Sequence, residues 1–411
     1  MRSFEYHNPC RVIFGPGKVN TLTEKIEMIR QEGLWGENCL VIYGSERVVE
    51  SGLIDRVETG LQTAGCKVSY FGGIRPNPRL STLKKAIARA LDIGADCVLA
   101  LGGGSVMDMA KAVAAGIKYP GDAWDMVFHG QKDYRPPSRA LPVIAIPTLA
   151  ATGSETDPIA VITNEETRQK SFIRSAALFP RLSILDPELT VSVPPIQTAY
   201  GVADMISHVT ESYFNGPGET PLQDGMAETI VKVALEYGKR AVHNGSDLEA
   251  RKQLQWASAI ALSGIVQAGA DGPFVVHALE HILSAWYDIP HGAGLAVLNP
   301  AWMLWAAMGN PGKFAFFARQ VLGVTAHDDA KAVSMGVTVL KKRFRELGLP
   351  VTLQELGVPK ADWSELADSV LKTVGQKTET GVKVLPAIRP MDRDAILEVF
   401  VLASQESKAW E

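Results

Sequence analysis

The chain has 411 residues, 46% of them hydrophobic and 21% charged, which is enough to bury a large core and favours two domains over one. Its 41 basic and 45 acidic side chains give a formal charge of -4 and form no long runs, so there is no electrostatic footprint for nucleic acid or anionic lipid. Small ligands of little charge fit such a surface better. The opening segment MRSFEYHNPC lacks a basic-then-apolar leader, and no window offers roughly 18 uninterrupted apolar residues, so the expectation is a cytoplasmic protein with no membrane partner. Cys10, Cys39, Cys66 and Cys97 show no CxxC spacing, and the last three open apolar runs, where they read as buried free thiols.

Between residues 37 and 150, short β-rich runs alternate with helical stretches: CLVIYGS, ERVVESGLIDRVETGLQTAG, CKVSYFGG, LSTLKKAIARALDIGA and CVLALGGGS. The helix VMDMAKAVAAGI, a Pro-rich and aromatic loop from Tyr119 to Pro142, and the strand PVIAIPT follow. This alternation predicts βαβ crossovers and a parallel sheet. Ligands of such sheets gather at the carboxyl ends of the strands, here Tyr43-Gly44-Ser45, the glycine triplet and Pro147-Thr148. From about Asp186 onward, segments such as LQDGMAETIVKVALEYGKRAV and ARKQLQWASAIALSGIVQAGA keep a 3.6-residue period, so the second half reads as helical. Pro187, Pro194 and Pro195 punctuate the junction, which places an α/β domain over 1–190 and an all-α domain over 191–411. Gly309-Asn310-Pro311-Gly312 reads as a turn between two helices.

Gly102-Gly103-Gly104-Ser105 ends a strand and opens a helix, which aims backbone N–H groups and a positive dipole end at a phosphate. A plain tight turn has the same composition. The GxGxxG fingerprint is absent, since Gly15-Pro16-Gly17 supplies only GxG. In the following turn, Pro147 to Glu155, the hydroxyls of Thr148, Thr152 and Ser154 suit a ribose or nicotinamide amide, although such residues also serve as simple caps.

Asp204 and His208 stand at i and i+4 in the helical stretch GVADMISHVTESYF, so one face presents a carboxylate and an imidazole. Downstream, HALEHILSAWYDIPHG carries His277, His281 and His291, three of the eight histidines. A histidine pair at helical spacing also occurs as a satisfied core pair or a solvated face. One carboxylate and three imidazoles without a thiolate suit Fe2+ or Zn2+ and leave the choice between them open.

With these motifs in view, the chain resembles the iron-containing (group III) alcohol dehydrogenases, whose fold is that of dehydroquinate synthase and glycerol dehydrogenase. The resemblance runs from NPCRVIFGPGKV through FGGIRPNP, LALGGGSVMDMAKAVA, IPTLAATGSE, LDPELT and GVADMISHVTE to HALEHILSAWYDIPHG. It implies an N-terminal dinucleotide-binding domain and a C-terminal metal and substrate domain. Asp204, His208, His277 and His291 then become the metal ligands, with His281 the histidine beside the site and a candidate proton relay. Gly102, Gly103, Gly104 and Ser105 would hold the pyrophosphate, Asp108 would support the loop or the cofactor, and Thr148, Thr152 and Ser154 would line the nicotinamide and ribose side. The branch most similar is that of the butanol dehydrogenases. Ser45, after Gly44, aligns where NAD-specific relatives carry an Asp for the adenosine 2′-OH, so the resemblance favours NADP(H) over NAD(H). Leu149 stands where a second Thr is frequent in the family.

The expected activity is hydride transfer between NAD(P)(H) and a small primary alcohol/aldehyde pair, with a metal as Lewis acid and a cleft that excludes water. The apolar segments ALEHILSAWY and GLAVLNPAWMLW favour small aldehydes over the phosphorylated, carboxylated substrate of a dehydroquinate synthase-like lyase, and a glycerol dehydrogenase-like enzyme is a further alternative on the same fold. A non-catalytic nucleotide or metal sensor is a further alternative that fold analogy leaves open. Resemblance also implies a homo-oligomer, a dimer or larger.

Overall fold

The structure, a computed structural model, describes residues 1–130, 134–308 and 310–406, and the chain forms two compact units. The first contains His7–Val193 and Gly245–Ser263; the second contains Met1–Tyr6, Pro194–Asn244 and the chain from Gly264 onward.

The first unit runs β1 (Arg11–Phe14), α1 (Leu22–Gln31), β2 (Asn38–Tyr43), α2 (Arg47–Glu50), α3 (Leu53–Thr63), β3 (Lys67–Phe71), α4 (Leu80–Asp92), β4 (Cys97–Gly102), α5 (Gly104–Gly116) and β5 (Val143–Pro147). An antiparallel hairpin of β6 (Ile159–Asn164) and β7 (Gln169–Arg174) and the strand β8 (Leu182–Leu185) complete it. Six strands form an all-parallel sheet in the order β1-β8-β5-β4-β2-β3. Period-two alternation sorts their side chains. Leu40, Ile42, Val98 and Ala100 join a core with α4 and α5, while Cys39, Val41, Cys97, Leu99 and Leu101 join one with α1 and α3.

After β2 the chain steps outward to β3, then returns to lay β4 on the other side of β2, so strand order reverses between these two strands. The register pairs Tyr43 with Leu101, which sets Gly44 beside Gly102 at the carboxyl edge where doubly wound sheets bind ligands. The parallel sheet read from the sequence is thus present. The hairpin β6–β7 and strand β8 are not evident in the sequence, because buried polar residues interrupt the apolar pattern, Gln169, Lys170 and Ser171 in β7 and Ser183 in the four-residue β8.

The second unit is helical: α6 (Pro195–Asn215), α7 (Pro221–His243), then, beyond α8 (Leu248–Ala261), α9 (Val275–Tyr287), α10 (His291–Ala307), α11 (Pro311–Gln320), α12 (Asp329–Glu346), α13 (Trp363–Val374) and α14 (Arg393–Ala403). Helix α8 belongs to the first unit. Thr156 donates its hydroxyl to the Ala259 carbonyl at 2.7 Å, and Trp256 packs on Phe14 with ring centroids 5.7 Å apart.

The structure changes three expectations. A single cut near residue 190 does not reproduce these units, because α8 crosses to the first and Met1–Tyr6 to the second. The helix expected through residues 250–270 ends at Ala261, since Gly264 and Gly269 adopt left-handed φ values of +89° and +68°. Pro311 and Gly312 open α11 instead of lying in a turn, while Gly309 lies outside the described residues. All four cysteines are free, and Cys39, Cys66 and Cys97 are buried. No helix among the described residues is long and apolar enough to cross a membrane.

Candidate metal centre and cofactor loop

Helix α6 starts on Pro195, whose fixed φ suits the first helical position, and is buried along most of its length. Asp204, His208 and Glu211 occupy i, i+4 and i+7 and therefore share one face. Helix α9 contributes His277, Glu280 and His281. It ends where Asp288 turns left-handed (φ 53°), and after Pro290 the chain re-enters a helix at His291, the first residue of α10. Two glycines let α10 approach. A Cβ on Gly292 would overlap the backbone carbonyl of Tyr200 on α6, and one on Gly294 would come within 2.6 Å of the Glu280 side chain.

This packing gathers all four residues expected to ligate a metal. The Nε2 atoms of His208, His277 and His291 lie 3.3, 3.5 and 3.6 Å from Asp204 Oδ1. The His208 and His277 rings stack 4.8 Å apart at 11°. Asp204, His208 and His277 are buried, and His291 is the most open of the four at 23%. Asp204 Oδ1 and His277 Nε2 are shielded from water yet have no hydrogen-bond partner among the described residues, a costly condition for polar atoms that one shared cation would relieve. The oxygen and nitrogen donors suit Fe2+ or Zn2+.

The electrostatics are strongly coupled. Burial alone would raise the Asp204 pKa, but His208, His277 and His291 together hold it well below the usual carboxylate range. Burial drives the His208 imidazole down to about 3, and the Asp204 carboxylate does not compensate. Burial also acts to discharge His277, yet Glu211 and Asp204 outweigh it and push that imidazole up to about 10. His281 lies one turn beyond His277, with its ring 6.3 Å from that of His277 and 5.5 Å from that of His291.

Two residues at this centre escaped the sequence reading. Glu211 and Glu280 are both fully buried. Glu211 accepts the Nδ1 proton of His277 and, through its other oxygen, the Val276 N–H at 2.6 Å in the first turn of α9. Glu280 accepts the Nδ1 proton of His291 and the Ser284 hydroxyl. Their signal was present in the chain as an acid three residues after His208 and another three after His277, spacings that return to the ligand face.

In the first unit, Gly102 and Gly103 carry β4 into the N-terminus of α5. A Cβ on Gly102 would meet Val106 at 2.6 Å, one on Gly104 would overlap Thr152, and Leu149 covers Gly103. Thr148 donates its N–H to Gly102 O at 3.0 Å, so the turn after β5 is tied to the glycine strand end. Gly44 O accepts from Gly73 N at 3.1 Å, while Ser45 is exposed. Ser105, Thr148 and Thr152 are half-buried.

Ser154 is 2% exposed, and its hydroxyl is already committed: it donates to Asp108 Oδ1 at 2.8 Å and accepts from Lys111 Nζ at 2.9 Å. Lys111 also donates to Asp157 Oδ1 at 2.8 Å and to the carbonyls of Asp157 and Ile159, each at 2.9 Å. Desolvation is the main cause that pushes the Asp108 carboxyl up to about 7. Asp108 and Ser154 thus hold this loop in shape.

A model of the iron-containing alcohol dehydrogenases matches residues 9–187, and one of the C-terminal part of the Fe-containing alcohol dehydrogenase family matches 198–400. The NADH-dependent butanol dehydrogenase A of Clostridium acetobutylicum is 38% identical over 402 residues, covering 97% of this chain and 99% of that protein. The NADPH-dependent aldehyde reductase YqhD of Escherichia coli is 33% identical, covering 87% of this chain and 90% of that protein. The crystal structure of the NADH-dependent butanol dehydrogenase A of Thermotoga maritima superposes with a TM-score of 0.91 at 35% identity, covering 98% of this chain and 99% of that one.

Proposed function

The chain belongs to the iron-containing alcohol dehydrogenase family, and from that premise we propose that it is a metal-dependent oxidoreductase transferring a hydride between NADP(H) and a small primary alcohol/aldehyde pair, chiefly as an aldehyde reductase. The observation that carries this reading is the convergence of three imidazole Nε2 atoms on one buried carboxylate oxygen. Asp204, His208, His277 and His291 would hold one divalent cation, Fe2+ or Zn2+, which when bound supplies Lewis-acid polarisation of a substrate oxygen.

The rest of the work falls to the protein's own groups. The glycine strand end Gly102–Gly104, with Ser105 in the first turn of α5, binds the pyrophosphate through backbone N–H groups and the helix dipole. Thr148 and Thr152 face the nicotinamide side, and Asp108 and Ser154 keep that turn in place. His281 moves a proton to or from the substrate oxygen.

NADP(H) is the proposed partner because Ser45 offers no carboxylate to repel a 2′-phosphate. A cavity of about 460 Å³ whose wall includes Gly73, which donates its N–H to Gly44 O, is lined by two cationic side chains, Arg75 and Arg79, against one carboxylate, Glu165. Substrate choice follows the apolar run of α9 and α10 around the ligands, and the butanol dehydrogenase and aldehyde reductase relatives are named for such substrates.

The test is metal analysis of anaerobically purified protein, followed by consumption of NADPH and NADH with butanal before and after chelation. The expected result is about one Fe2+ or Zn2+ per chain, activity lost on chelation and restored by the cation, and a higher kcat/KM with NADPH. A protein that binds neither cation and reduces butanal equally well in chelator would overturn the reading.

A further inference from the structure

A neutral imidazole ligates through one nitrogen only if its proton sits on the other, and the hydrogen bond made by that other nitrogen decides where the proton resides. The three histidines of the centre differ in this respect. Nδ1 of His277 meets Glu211 and Nδ1 of His291 meets Glu280, both carboxylates wholly buried. Nδ1 of His208 is buried and has no hydrogen-bond partner among the described residues.

We infer that Glu211 and Glu280 are positioning residues that fix the Nδ1–H tautomer and ring orientation of His277 and His291, making these the anchored ligands of the cation and leaving His208 as the ligand that lets go first. The inference rests on the metal reading above and deepens it.

Each carboxylate is itself held. Glu211 spends its second oxygen on the Val276 N–H at 2.6 Å, so it ties α6 to the first turn of α9 in the register that brings His277 to Asp204. Glu280 takes the Ser284 hydroxyl, which also reaches Ile289 O at 2.9 Å and so joins α9 to the turn that delivers His291. Gly294 leaves room for the Glu280 side chain. A negative charge behind each imidazole raises its basicity toward a cation, and such partners commonly contribute about 10- to 100-fold in metal affinity. His208 has no such support, and its tautomer is set only by what lies at Nε2.

The experiment measures release of Zn2+ from the Zn2+-loaded full-length protein into excess chelator, at a temperature well below unfolding, for wild type, Glu280→Ala, Glu280→Gln, Ser284→Ala, His208→Ala and His277→Ala. Glu280→Ala is expected to release Zn2+ roughly 10- to 100-fold faster. Glu280→Gln, which keeps an acceptor but no charge, falls between it and wild type, and Ser284→Ala shifts the rate slightly in the same direction. His208→Ala loses less Zn2+ affinity than His277→Ala. A merely structural role would lower the melting temperature of the metal-free protein without this graded order of release rates, so both quantities are recorded. If Glu280→Ala does not fold, Glu280→Gln and Ser284→Ala carry the comparison. Release rates equal to wild type in the folded Glu280 and Ser284 variants, or a smaller loss for His277→Ala than for His208→Ala, overturn the inference. A wild type that takes up no Zn2+ or Fe2+ instead sinks the metal reading beneath it.

Discussion

Lys111 and Asp157 form an ion pair of 2.8 Å inside the first unit, with side chains 0% and 4% exposed. The ammonium sits among three protein carbonyl or hydroxyl oxygens as well as the carboxylate, so its charge is solvated by the turn that follows β5. Removing one member of such a pair leaves the other buried and uncompensated. Lys111→Met is therefore expected to cost about 3–5 kcal/mol. The thermal midpoint should fall and the KM for the nicotinamide cofactor should rise, because Ser154 and Asp108 lose their anchor. A variant with unchanged midpoint and cofactor affinity would refute this role.

Asp108 makes stability pH-dependent. Its carboxyl is raised from 3.8 to about 7, so the folded state binds the proton more tightly than the unfolded chain. The contribution is complete below about pH 4 and is lost as pH rises through 7. Glu155, also pushed up to about 7 by burial, titrates over the same range, so the difference between two proteins is what isolates Asp108. The melting temperature of Asp108→Asn relative to wild type should rise steadily between pH 5 and pH 8. A flat difference would mean that Asp108 is already ionised at pH 5.

Gly292→Ala would press a methyl group into the Tyr200 carbonyl and force the start of α10 away from α6. Since His291 is the residue before it, metal occupancy is expected to drop along with a stability loss of about 1–3 kcal/mol. Elemental analysis after dialysis reads the first effect directly, and full occupancy would argue against it.

His281→Ala should slow turnover by a factor on the order of 10² while metal content stays at the wild-type level. If the variant reduces butanal as fast as wild type with a full complement of metal, the proton takes another route.

Ser45→Asp introduces a carboxylate at the carboxyl end of β2, beside Gly44. The ratio of kcat/KM for NADPH over NADH should fall by about tenfold or more, because like charges brought together cost several kcal/mol. An unmoved ratio would place the 2′-phosphate elsewhere.

Much of this structure was legible in the chain. Strands β2 to β4 announced themselves because apolar runs end in glycine and alternate with helical periods, β5 because its apolar run ends in Pro147-Thr148, and the candidate metal site because Asp204 and His208 share a face and three histidines cluster downstream. What stayed hidden has physical reasons. Periodicity shows that α8 buries a face but carries no information on which unit receives it. Glu211 and Glu280 look like ordinary solvent-facing acids until the Nδ1 atoms they serve are seen. The hairpin β6–β7 keeps Lys170 and Ser171 inside, which defeats a pattern built on apolar alternation.

The chain's return to the first unit for Gly245–Ser263 limits how this protein can be taken apart. A fragment truncated near residue 190 would lack α8, leaving the Thr156 hydroxyl only its longer 3.1 Å bond to Gly153 O and taking Trp256 from Phe14, and the remaining fragment would carry that helix without its seat. Neither piece matches a whole unit, so recombination that swaps one half for a relative's must carry α8 along with the rest of the first unit.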